Sequence, residues 1–160
     1  MTDRLPDRTG AAITREWNGF NNVGICAVAI MAVLARTRKL SLPKALLVMP
    51  LMMHEGTVRF MGNGNVRHRQ IAAFVAARPD LFANFRQRYE GSLVLTLNTV
   101  QMLIESGHVI FDQEIRQIRP LNINRSFGSR ALKIEKASAH LASLLESADE
   151  ELYLNMRVWL

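Results

Sequence analysis

The sequence predicts a mostly α-helical single domain with a winged helix-turn-helix-like core and one small β-hairpin. Apolar residues recur at three- and four-residue intervals along most of the 160 residues. Glycine, proline and asparagine clusters cut that pattern into helix-sized pieces. Only one stretch, "HVIFDQEIRQIRP", alternates as strands do. Residues 1–16 are expected to form a flexible N-terminus, because "MTDRLPDRTGAA" has no apolar stripe. Residues 17–160 then form one helical domain, with the winged-helix-like core at about 66–120.

The first helix is carried by Val23 to Ala35, an apolar run led by Asn18, Asn21 and Asn22. Thirteen residues at ~1.5 Å each cover under 20 Å, too little for a ~30 Å hydrocarbon layer. A run apolar on every side is then a buried core helix. The cluster Arg36, Arg38, Lys39 suits its C-terminal end. Ser41 is placed to cap a second helix, with Pro43 in the first turn where no donor is lost. Pro50 should end or kink that helix, since its ring opposes the carbonyl of Leu46.

Gly62-Asn63-Gly64-Asn65 marks a loop. Ile71, Phe74 and Val75 lie on one helix face, and Arg78, before Pro79, marks a break. Pro79-Asp80 should open a helix carrying Leu81, Phe82, Phe85 and Tyr89. Gly91-Ser92 should separate it from a third, with Leu93, Leu97, Val100, Leu103 and Ile104, stopped by Gly107. The hairpin follows: Val109 and Phe111 alternate, Asp112-Gln113 turns, Ile115 starts the return strand and Pro120 stops it. Three helices and a hairpin are the order of a winged helix-turn-helix. After "NINRSFGS", a long helix from about Arg130 carries Ile134, Ala137, Leu141, Leu144, Leu145 and Ala148. Asp149-Glu150-Glu151 opens a last short helix bearing Leu152, Met156 and Trp159.

Composition sets wide bounds. Hydrophobic residues make up 49% and charged residues 21%, the balance of an ordinary globular protein. The N-terminal stretch lacks the apolar segment of a secretory signal, which points to the cytoplasm. A lone cysteine, Cys26, excludes an internal disulfide and reads as a small buried hydrophobe. Residues 1–80 hold eleven Lys/Arg against five Asp/Glu, whereas residues 81–160 hold nine of each. Such a basic excess attracts polyanions, nucleic acid among them.

Catalytic motifs are missing. His54-Glu55 starts like a zinc-protease motif, but the second histidine would fall at Val58. "GNGN" lacks the Lys-Ser/Thr pair and preceding strand of a phosphate loop, and no Gly-x-Ser-x-Gly elbow occurs. The reading is therefore no enzyme, no catalytic residues, no metal and no cofactor. As a DNA reader, the third helix "SLVLTLNTVQMLIES" has no Lys or Arg, the commonest partners of guanine. Asn98 and Gln101 could read adenine. Arg86, Arg88, Arg116 and Arg119 flank the helix and could touch phosphates, which position without specifying sequence. Met49, Met52, Met53 and Met61 cluster as gap-fillers of a core or as an adaptable binding surface.

Three stretches carry a family resemblance: "WNGFNNVGICAVAIMAVLA", "LPKALLVMPLMMHEGTVRFM" and "IAAFVAARPDLFANFRQRYEGSLVLTLNTVQMLIESGHVIF". In the second, Leu42-Pro43, Pro50-Leu51, His54 and Arg59 hold the shared positions. From about Trp17 to Leu160 the chain resembles the middle component of three-component ABC systems, with Asn18-Gly19 where Asn-Pro is expected. The resemblance implies a non-catalytic adaptor or regulatory subunit in bacterial defence against phage and plasmids, as in Lamassu-type systems. Its partners would be an SMC-like ABC ATPase and an effector protein, with non-specific DNA contact within the complex and no membrane. His54 and Arg59 are the candidate partner-binding residues. The alternative is a winged-helix DNA-binding transcriptional regulator.

Overall fold

Helix α1 (Gly10–Thr37) runs through the centre, and its residues from Ile25 to Leu34 are buried on every side. The structure, a computed structural model, describes residues 10–65 and 68–160, with side chains from residue 22 onward. Of the stretch expected to be flexible, residues 1–9 lie outside the described residues, and residues 10–16 form the first turns of α1. Around α1 lie α2 (Leu42–Met52), α3 (Glu55–Met61), α4 (Ile71–Ala77), α5 (Phe85–Glu105), α6 (Ser129–Leu144) and α7 (Asp149–Met156). α1 packs on α5 and α6, α2 on α5, α3 on α6, and α4 on α7. One hydrophobic cluster draws on all seven helices and on the three strands.

Where α1 meets α5, the facing residues are small. Ser92, Thr96 and Thr99 are buried, and each hydroxyl donates to a backbone carbonyl about one turn back, at 3.0, 2.9 and 2.8 Å. Their polar groups are thus satisfied locally. Cys26 sits against Thr96 and Thr99, fully buried, and burial pushes its thiol up to about 11. That matches a packing role and removes the thiolate a nucleophile needs.

Ser41 caps α2 as expected: its Oγ accepts from the Lys44 amide at 3.3 Å, with Pro43 in the first turn. Pro50 does not end the helix there. α2 continues to Met52, because residues Ala45 to Met52 are all buried and their packing outweighs one missing hydrogen bond.

The region from residue 68 onward differs more. Arg78 breaks the chain as expected, but Pro79–Phe82 is a single 3-10 turn rather than an α-helix. Asn84, at φ 58, then redirects the chain into α5. Gly91-Ser92 separates nothing, and the expected second and third helices are one continuous helix of 21 residues. It ends as predicted at Gly107 (φ 71), with the His108 amide donating to Leu103 and the Gly107 amide to Ile104.

Strands β2 (Val109–Asp112) and β3 (Glu114–Gln117) form the expected hairpin around Gln113, at φ 61. The return strand starts at Glu114, one residue before Ile115. Its other edge pairs with β1 (Lys39–Ser41), which the sequence did not reveal, giving an antiparallel sheet ordered β1-β3-β2. Leu40, Val109 and Ile115 point into the core, whereas Phe111 is half exposed. The expected core at 66–120 is therefore corrected in two ways: two α-helices precede the hairpin there, and the sheet takes a strand from outside. Near the C-terminus, Ala148 caps α7 instead of extending α6. Trp159 lies beyond α7, exposed, with the Arg86 guanidinium 4.6 Å over its ring.

Candidate partner-binding surface

Two sets of residues stand out from the sequence: His54 with Arg59, and the arginines Arg86, Arg88, Arg116 and Arg119. His54 joins α2 to α3 in extended backbone and caps α3. Its Nδ1 accepts from the Thr57 amide at 3.3 Å and lies 2.9 Å from Thr57 Oγ1. Burial, then the charge of Arg88, holds its pKa below the usual 6.5, which keeps Nδ1 free to accept. Arg59 faces solvent. It pairs with Glu55 one turn earlier at 3.2 Å, and both side chains are 78% exposed. The two residues belong to one helix and its cap but have different roles: His54, half buried, holds the helix start, and Arg59 faces solvent.

The four arginines do not form one surface. Arg88 is half buried and its guanidinium donates to the carbonyls of Pro50 (2.8 Å) and Leu81, tying α5 to the end of α2 and to the 3-10 turn. Those bonds make it a brace between the three segments. Arg86 pairs with Glu90 at 2.7 Å near the start of α5. Arg116 pairs with Asp112 at 3.3 Å, and Arg119 donates to Ser106 at 2.7 Å, both at the hairpin beyond the other end of α5. A helix of 21 residues spans roughly 30 Å, so the two ends are separate.

A surface that the sequence did not mark lies between α3 and α6. Two adjoining hollows, about 420 and 190 Å³, share Glu55, Val58 and Lys133. Arg130 lines the larger, and Arg59 and Lys136 the smaller. Met52, Met53, Val58 and Ile134 form the floor, so the end of the Met-rich segment reaches this groove. Arg130 Nη2 rests 3.2 Å from Met53 Sδ. The signal in the sequence was the three-residue spacing of Arg130, Lys133 and Lys136 in "SRALKIEKASAH", which sets them along one strip of α6.

A larger hollow of about 690 Å³ opens between β1, α6 and α7, but its cations are neutralised. Arg36 pairs with Glu135, Lys39 with Glu114, and Lys44 with Asp149. The histidines form no ligand set, and no group of three or more His, Cys, Asp or Glu that could hold a metal ion occurs among the described residues. His140, buried in α6, meets the backbone of His68 through Nε2, 3.1 Å from its amide and 3.0 Å from its carbonyl. That packing is stiffened by the stacked rings of Phe60 and Phe74. No helix among the described residues is long and apolar enough to cross a membrane.

The family model for the ABC-three component (ABC-3C) system Middle Component 3 matches residues 12–159. No curated protein and no solved structure matches the chain.

Proposed function

Because the chain belongs to the Middle Component 3 family of ABC-three component systems, we propose that it is a non-catalytic adaptor bridging an SMC-like ABC ATPase and an effector protein. The setting would be bacterial defence against phage and plasmids, in the cytoplasm. The family match over nearly the whole chain carries this reading, since a middle component of a three-component system has other components to meet. Further support comes from the polar groups: among the described residues the conspicuous ones cap helices, brace loops or line open grooves. The one histidine–hydroxyl contact discussed, His54 Nδ1 to Thr57 Oγ1 at 2.9 Å, belongs to a helix cap in which Thr57 is fully buried.

Co-expression with the ATPase and effector encoded beside it tests the reading. The expected result is a complex that survives size-exclusion chromatography and protects cells from phage only when this subunit is present. Protection without the subunit, or no complex with either neighbour, would overturn it.

A second reading, a winged-helix regulator, draws on the sheet order β1-β3-β2 behind α1, α2 and α5. We read that arrangement as winged-helix-like, with α5 in the place of the groove-entering helix. Its exposed face between Gly91 and Ser106 carries Val94, Leu97, Asn98, Gln101 and Glu105 and no cation. Such a face suits a protein contact better than a base-reading one, which puts the adaptor first.

A further inference from the structure

We propose that the groove between α3 and α6 docks a short acidic segment of a partner protein whose apolar side chains seat on Met53 and Val58. Charge carries the argument first. Arg59, Arg130, Lys133 and Lys136 line the two hollows, and Glu55 is the one carboxylate lining them, already committed to Arg59. Lys133, Lys136 and Arg130 form no ion pair among the described residues, unlike the neutralised cations of the larger hollow. Three like charges along two turns of one helix repel one another unless a counter-charge arrives. An acidic ligand supplies it.

The floor decides the class of ligand. Phosphate backbones are held by cations and polar donors, and single strands add aromatic platforms for the bases. This groove has no aromatic lining, and its base is thioether and aliphatic: Met53, half buried, beside Met52, Val58 and Ile134. Methionine adapts to varied apolar partners. A basic rim over such a floor complements a peptide with carboxylates on one side and Leu-like side chains on the other. Arg130 to Lys136 spans roughly 9 Å of helix axis, the length of about two turns of a docked helix.

The groove chemistry stands independently; only the identification of the occupant as the ATPase or effector rests on the adaptor reading. The test uses the full chain and fluorescein-labelled 14-residue peptides, read by anisotropy. One peptide carries Glu and Leu at amphipathic helical spacing, and controls replace Glu by Lys or Leu by Ser. The Glu/Leu peptide should bind at least ten-fold tighter than either control. Lys133→Glu with Lys136→Glu should weaken it at least ten-fold at an unchanged melting temperature. Lys133→Gln with Lys136→Gln, which adds no new repulsion, should give a smaller loss of the same sign. Equal binding of all three peptides, indifference to both lysine pairs, or a duplex oligonucleotide binding tighter than the Glu/Leu peptide through these lysines would overturn the proposal. In the co-purification experiment, wild-type and reversed proteins recovering the complex equally would sink the groove and leave the adaptor reading standing. A wild-type protein without partners, but with a lysine-dependent peptide site, would do the opposite.

Discussion

An unprotonated imidazole at His54 holds the start of α3, and this couples stability to pH. Folding keeps its pKa below 6.5, so the unfolded chain takes up the proton more readily. The cap's contribution is therefore complete above pH ~6.5 and is lost as pH falls through the lowered folded value. His54→Ala should cost about 1 kcal/mol at pH 8, the usual worth of an N-cap. His54→Asn, which caps without titrating, should match wild type at pH 8 and exceed it at pH 5.5, as followed by urea melts; a parallel pH response would refute the assignment. Arg88 makes a second residue-scale case. Hydrogen bonds to charged groups are worth about 1.5–3 kcal/mol each, and Arg88→Met removes two while keeping the stem, so a loss of about 3 kcal/mol, the low end for a half-exposed side chain, is expected by denaturant unfolding. Neither contact is legible in the sequence. No helix is predicted after His54, and histidine is not among the preferred N-cap residues. Pro50 lies 38 residues from Arg88, and a sequence shows an arginine without the carbonyls it reaches.

At the level of elements, the continuity of α5 shows how packing overrides punctuation. Gly91 costs a helix interior about 1 kcal/mol relative to alanine. Against that, Phe85 and Tyr89 on one side of it and Thr96, Val100 and Leu103 on the other are all buried along one face. Breaking the helix would expose several of them, at about 1.5–3 kcal/mol for each large apolar side chain. Gly91 itself has open space where a Cβ would go. Gly91→Ala should therefore stabilise the protein by about 0.5–1 kcal/mol in denaturant unfolding, whereas two helices separated there would show a loss. Most elements were legible because their signals are local: the apolar periodicity of α1 and α6, the Ser41 cap, the Gly107 stop and the acidic start of α7. β1 was not, since Lys39-Leu40-Ser41 is too short to show alternation and becomes a strand only by pairing with Arg116, Ile115 and Glu114. The α3–α6 groove was hidden for the same reason. Its cations come from segments some 70 residues apart, and only the fold sets Arg59 beside Lys133 and Lys136.

For the whole molecule, the net charge of +6 raises the question of nucleic acid, and the placement of the charges answers it in part. A strong DNA site needs cations that track one run of phosphates, each releasing a counterion. Here Arg86 stands near one end of α5 and Arg116 and Arg119 at the hairpin beyond the other, each engaged with a carboxylate or a carbonyl. Asp112 and Glu90 lie among them, so part of the positive field is cancelled locally. Outside the α3–α6 groove, whose cations are assigned to a peptide, binding driven by what remains should be weak, steeply salt-dependent and indifferent to sequence. In anisotropy titrations, unrelated duplexes should agree within about ten-fold and lose most of their affinity between 50 and 200 mM salt. Arg116→Glu with Arg119→Glu should weaken all of them alike, because phosphate contacts carry no sequence information. One duplex preferred by ~10³-fold or more, the lower bound for specific binders, would mean that α5 reads bases through Asn98 and Gln101 and would put the regulator ahead of the adaptor.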